Sequence, residues 1–189
     1  DASPRLTDST APVGAYVIVR LFVSLALMTV GTVGMYVGIV GLKPIAAEFG
    51  ISRGVGSLTY ALFMIGYAFG NVIHGRLADR YGILVPLLIG SVALPAGLIL
   101  SAQADTLWQF LATIALLGGA LGSSAVFAPI IADVSLWFVG RRGLAVAFVL
   151  SGSYFAGAIW PPVLQYLISE YGWRSAFVTV GYFCLATMV

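Results

Sequence analysis

Apolar residues in this chain come in runs of about twenty, separated by short polar or charged interruptions, and this pattern predicts helices that cross a membrane. The first run spans about Val13 to Leu42, is rich in glycine and is interrupted by Arg20. A loop follows at Lys43–Gly54. The second run is roughly Val55–Ile73, with Asn71 in its last turn and His74 just beyond, and a tight charged loop is expected at Gly75–Gly82. The third run, Ile83–Ala102, is joined by Gln103–Thr106 to a fourth, Leu107 to about Ile131, which carries Gly118, Gly119 and Gly122. A loop at Trp137–Gly143 leads to a fifth run, Leu144–Ile168, containing Pro161 and Pro162. A link at Ser169–Arg174 precedes a sixth run that starts at Ser175 and holds 15 residues. Residues 1–12 are polar and punctuated by proline, the pattern of a disordered tail.

Composition turns the pattern into a class. Of 189 residues, 60% are hydrophobic and 8% charged, against about 45–50% and about 25% in a soluble domain. Nine Lys/Arg and seven Asp/Glu are too few to cover a water-facing globule. The runs lack the period-two alternation of barrel strands. The expected fold is therefore all-α and integral to the membrane: a bundle of six transmembrane helices over residues 13–189, the last one truncated, with the lipid bilayer as partner. Beginning at Asp1 and stopping inside an apolar run, the chain reads as a fragment, and its first apolar segment is too long for a cleavable signal peptide.

Charge and chemistry narrow the picture further. A net charge of +2 points away from nucleic acid. With a single cysteine, Cys184, and a single histidine, His74, there is no intramolecular disulfide and no Cys- or His-based metal site. There is no HExxH and no Ser/His/Asp spacing, so no enzyme, cofactor or metal is expected. Arg5, Arg20, Arg76, Arg80, Arg141 and Arg142 fall on one side of the predicted topology, and Lys43, Arg53 and Arg174 on the other. This asymmetry puts the N-terminus in the cytoplasm of a cell (plasma or inner) membrane.

A few polar groups lie within or near the spans. Arg20 is expected to snorkel to the headgroups, with a role in transport as the alternative. Asp133 is expected to pair with Arg141 or Arg142, with a proton relay as the alternative. His74 is expected to make a structural hydrogen bond, although an imidazole there is also a plausible titrating group. Gly34/Gly38, Gly66/Gly70 and Gly118/Gly122 are Gly-xxx-Gly steps, which let helices pack closely. Pro161–Pro162 should kink or loosen the fifth helix.

The run GRLADRYG, Gly75–Gly82, resembles the loop between helices two and three of the major facilitator superfamily. Gly75, Leu77, Ala78, Asp79, Arg80 and Gly82 match, while Ile83 and Leu84 stand where that pattern has two basic residues. Gly75 would permit close helix approach, Gly82 a tight turn, and Asp79 a negative charge for a helix N-terminus or an arginine. The resemblance implies that Asp79 latches onto a C-terminal six-helix half in the outward-facing state. A second run, WFVGRRGLAVAFVLSGSYFAG (Trp137–Gly157), is similar to the fourth loop and fifth helix of monocarboxylate porters and their bacterial relatives, including oxalate/formate exchangers. Trp137, Phe138, Arg141, Arg142, Ala145, Ser151, Gly152 and Gly157 carry it. YGWRSAF and LKPIAAEFGISRG recur in the same group. The acidic-Gly-Gly-aromatic motif of the animal carriers is absent before helix one, and Lys43 lies beyond the span. Drug antiporters differ at Ala115 and at Ala158.

The resemblance implies the N-terminal half of a twelve-helix fold, with the C-terminal half absent from this chain, and helices one, two, four and five bordering a central cavity. Polar and aromatic residues midway along helices one, four and five are then candidates to face a solute: Thr32, Tyr36, Ser123, Ser124, Phe127, Ser153, Tyr154 and Trp160. Tyr36, Ser124 and Tyr154 would donate hydrogen bonds, and Phe127 and Trp160 would shape the wall. Gly75, Asp79, Arg80, Gly82, Arg141 and Arg142 are the expected conformational gate. The function implied is alternating-access transport of a small organic anion, by H⁺ symport or exchange. The alternatives are another small solute, dicarboxylate or drug-like, or a non-transporting scaffold or sensor.

Overall fold

The computed structural model describes residues 15–138 and 141–188; the expected tail lies outside them. Helices α1 (Ala15–Gly31) and α2 (Val33–Val40) make one apolar rod jointed at Thr32. There the Thr32 hydroxyl donates to the Met28 carbonyl at 2.5 Å, a back-bond that bends a helix. Short helices α3 (Leu42–Glu48) and α4 (Arg53–Gly56) connect it, through a turn at Gly50 (φ 63), to α5 (Leu58–Tyr81). Helix α6 covers Leu84–Ala102. Helix α7 (Leu107–Thr113) begins in a reciprocal cap: the Gln109 amide donates to Thr106 Oγ1, and Gln109 Oε1 accepts from the Thr106 amide, each at 3.3 Å. It continues as a π-helix, Ile114–Ser123, then as α8 (Ser124–Trp137). The last track, α9 (Arg142–Met188), is two helices rather than one, because Gly172 sits at φ 79, ψ 160. Divided at Gly172, the described residues form six apolar helical tracks.

Several boundaries differ: the loop expected at Lys43–Gly54 is largely helical as α3 and α4, and the fourth span, expected to end near Ile131, runs on to Trp137. The charged run expected as a loop is helical through Tyr81, and the chain turns only at Gly82 (φ 82). Arg, Leu and Ala are good helix formers, so α5 projects past its apolar stretch and stops at the first residue that tolerates a positive φ.

Backbone-to-backbone approach holds the bundle together. A Cβ added at Gly66 or Gly70 would run into the carbonyl oxygens of Ala115 and Ala120, and one at Gly119 would lie 2.7 Å from the Phe63 carbonyl oxygen. At these glycines the α5 backbone lies directly against the backbone of the π-helix. Such close contact is what binds helices where lipid removes the hydrophobic drive. Gly75, expected to serve the same purpose, has open space around it. One apolar core gathers Phe63, Phe110, Trp173 and Phe177; a second gathers Met28, Val126, Ile130 and Val149.

Polar ties close both ends. At one end the Arg20 guanidinium makes a two-pronged pair with Asp133, at 3.0 and 2.5 Å, and lies 4.7 Å over the Trp137 ring. This corrects two expectations: Arg20 turns inward instead of snorkelling, and it replaces Arg141 or Arg142 as the partner of Asp133. With both side chains mostly buried, pairing avoids the cost of isolated charge. At the other end Trp173 Nε1 donates to Glu48, and Arg174 donates to Glu48 (2.9 Å) and to the Ala102 and Ala104 carbonyls (2.6 and 2.9 Å). The YGWRSAF run is thereby explained: its Trp-Arg pair straps three connections together.

That strap should respond to pH. Burial raises the Glu48 pKa, but hydrogen bonds from Arg174 and Trp173 and the Arg174 charge outweigh it and hold the carboxyl below its ordinary 4.5. A lowered folded value means the stabilisation is complete above the unfolded value and is lost as pH falls through the folded one. Acidification below about pH 4.5 is expected to loosen this end, read as a change in tryptophan fluorescence that Glu48→Gln abolishes. An identical acid transition in Glu48→Gln would refute the strap.

Candidate functional site

A cavity of about 490 Å³ opens between helices one, two, four and five. The rod α1–α2 contributes Thr32, Met35 and Tyr36; α5 contributes Met64 and Tyr67; α8 contributes Phe127; and α9 contributes Leu150, Ser153 and Tyr154. Five of the eight cavity residues expected from sequence, Thr32, Tyr36, Phe127, Ser153 and Tyr154, therefore meet at one place.

Their local settings differ. The hydroxyl of Thr32 is committed to Met28, so its methyl and backbone shape the wall. The Tyr36 hydroxyl donates to the Ser153 carbonyl at 3.4 Å, longer than the usual O–H···O range of about 2.5–3.0 Å. Gly157 leaves room for it, since an added Cβ would stand 2.9 Å from that oxygen. Ser153 Oγ is buried and has no partner. Phe127 meets Tyr67 edge-on, ring centres 6.0 Å apart, and Tyr67 stacks on Phe63 at 6.2 Å. Tyr154 is 81% exposed. Among the described residues, no charged side chain lines this cavity.

Three expected cavity residues lie elsewhere, and the first, Ser123, is buried away from this lining. Ser124 is fully buried behind the wall, donating to the Ala120 carbonyl at 2.7 Å and standing 3.1 Å from His74 Nδ1. Because Nδ1 also lies 3.0 Å from the Gly70 carbonyl, which can only accept, Nδ1 carries the proton and Ser124 Oγ accepts from it. The histidine's expected structural hydrogen bond is thus present and ties helix two to helix four. Trp160 is also buried; its Nε1 donates to the Thr29 carbonyl at 2.8 Å, joining helices one and five. It lines a separate apolar cleft of about 450 Å³ with Val30, Val180 and Phe183.

Sequence reasoning missed Met35, Met64, Tyr67 and Leu150. The signal for Tyr67 was present: it falls one turn after Phe63, beside the Gly66/Gly70 stripe that presses α5 against the π-helix. The sequence candidates come from helices one, four and five alone, and Tyr67 lies on helix two.

The expected gate residues lie at the Arg20 end. Asp79, Arg80 and Gly82 sit at the tip of α5, all exposed, and Gly75 is one turn deeper. Asp79 makes no ion pair among the described residues, while Arg80 lies 5.3 Å over the Tyr81 ring. Arg141 and Arg142 are exposed where α9 begins.

With apolar helices packed through glycines and an uncharged cavity on one face lined by four of them, residues 21–189 match the Major Facilitator Superfamily. The chain belongs to that family. It is a multi-pass membrane protein of a transporter family and not of an enzyme family. It is 34% identical to monocarboxylate transporter 12-B of Danio rerio over 140 residues, 74% of this chain and 28% of the relative. It is 34% identical to monocarboxylate transporter 12 of Homo sapiens over 129 residues, covering 68% of the chain and 24% of that protein. An agnestins efflux protein of Paecilomyces divaricatus is 37% identical over 122 residues, 60% of the chain and 28% of the relative. The matched segments span about a quarter of the length of these relatives, 24% to 28%.

Proposed function

We propose that this bundle forms one wall of a secondary transporter for a small organic anion, of the monocarboxylate type, completed by a second six-helix bundle. The supporting observation is the four-helix cavity holding Thr32, Tyr36, Phe127 and Tyr154, in a chain related to proteins named as monocarboxylate transporters. The two bundles rock about the solute, so the cavity opens to each side in turn. Close-packed, glycine-seamed helices move as a rigid body in such a cycle. Since the wall is uncharged, the cation that balances the carboxylate and the groups that couple H⁺ or a counter-anion belong to the second bundle. In this reading the Arg20 end faces the cytoplasm of the cell membrane. Asp79, exposed there, latches one conformation with Gly75, Arg80, Gly82, Arg141 and Arg142 around it.

Uptake by proteoliposomes containing the complete transporter tests this. A labelled monocarboxylate is expected to accumulate, oxalate and a cationic dye are not, and Asp79→Asn should slow turnover while leaving the binding constant nearly unchanged. Accumulation of the dye alone would replace the anion reading with a drug-like one. A large affinity loss at normal turnover would contradict the latch.

A further inference from the structure

The cavity has two unlike sides, and that asymmetry says more about its cargo. Where helices one and five meet, it offers hydroxyls that are not fully used: Tyr36 Oη, whose contact with the Ser153 carbonyl is 3.4 Å long, and Ser153 Oγ, buried without a partner. A buried hydroxyl with no acceptor is costly, and a polar atom of a solute would relieve that cost. Where helices two and four meet, the lining is Met64, Tyr67 and Phe127, the two rings already edge-on to each other. Tyr154 stands exposed at the margin, and Met35 completes the apolar part.

We propose that this cavity selects a carboxylate bearing an aromatic ring over a short aliphatic one, with the ring against Tyr67, Phe127 and Tyr154 and the polar end toward Tyr36 and Ser153. This inference rests on the organic-anion reading above. A short hydroxy acid has little apolar surface to bury against this wall, so it would leave Met64, Tyr67 and Phe127 without a partner. An aromatic ring adds edge-to-face contact with Tyr67 and Phe127 and sulfur contacts with Met35 and Met64. At about 490 Å³ the cavity is within the range of about 300–1,000 Å³ that holds ring-sized ligands. Nothing in the lining distinguishes ring substituents, so the selectivity is for the ring itself.

The test compares labelled benzoate with labelled lactate in proteoliposomes of the complete transporter, subtracting leak into protein-free vesicles. The kcat/KM for benzoate should exceed that for lactate by about tenfold, the order expected for ring contacts beyond simple area burial. Phe127→Leu and, separately, the exposed Tyr154→Leu should each bring the ratio close to one. Exposed Tyr154 can be truncated without disturbing the core, so a folding failure in Phe127→Leu leaves the test intact. Lactate transport with no benzoate preference, or a preference that survives both substitutions, overturns the inference and leaves the organic-anion function standing. No uptake of either carboxylate overturns that function, and the inference with it.

Discussion

Gly70→Ala should be the most damaging single-methyl change in the bundle. The new Cβ would collide with the Ala120 carbonyl oxygen and with Ser124 Oγ, and neither can move independently. The Ala120 oxygen is already held by the Ser124 hydroxyl at 2.7 Å, and Ser124 also receives the His74 ring proton at 3.1 Å. Relief therefore requires α5 to back away from the π-helix, which breaks the His74 tie and opens the Gly66 and Gly119 contacts together. Overpacking of a tight core costs about 1–3 kcal/mol and occasionally more; backbone collision along a whole seam puts this change at the upper end. Thermal unfolding in detergent should show a large drop for Gly70→Ala. Gly143→Ala is the matched control, because an added Cβ there meets nothing within 4 Å. Equal melting of the two variants would show that the seam does not hold the bundle together.

The second large effect belongs to the Arg20–Asp133 pair. Asp133→Ala removes the paired carboxylate from a guanidinium that is only 25% exposed. Exposed pairs are worth about 0–1 kcal/mol, and breaking a buried one costs about 3–5 kcal/mol; a partly buried, two-pronged pair falls between, at about 2 kcal/mol. Replacing both partners with leucine should recover most of that loss, since apolar replacements need no compensation in an apolar setting. A double-mutant cycle on melting reads the coupling directly. If the double variant is as unstable as the sum of the single ones, the two residues act independently and the pair is not the tie.

The boundaries show where sequence was a sufficient guide. The third span was expected at Ile83–Ala102 and lies at Leu84–Ala102. The break after the fifth span falls at Gly172, inside the expected link. Composition and run length suffice for such features because a helix in lipid satisfies its own backbone, so its limits follow from local hydrophobicity and from where a residue can turn. The Gly75–Gly82 run shows the limit of that reasoning. Charge marked the end of the apolar stretch but not of the helix, which runs on until Gly82 allows the turn. The candidate cavity was half legible. Tyr36, Phe127 and Tyr154 could be singled out as mid-span aromatics, whereas Tyr67 and Met64 gain their place only from how α5 is rotated against its neighbours.

Sequence alone thus determined that this chain is an all-α membrane bundle of a transporter family, through run length, scarcity of charge and two loop patterns. Tertiary structure alone decided which polar groups meet. Arg20 and Asp133 are 113 residues apart in the chain, and Trp173 and Glu48 are 125 apart. Whether Ser124 faces a cavity or a buried histidine depends on helix rotation, and here the π-helix Ile114–Ser123 widens the turns just ahead of it. A rotation of that kind is set by the glycine seam between α5 and the fourth span. Its energy lies in backbone contacts between distant segments, and so no local pattern of hydrophobic and polar residues records it.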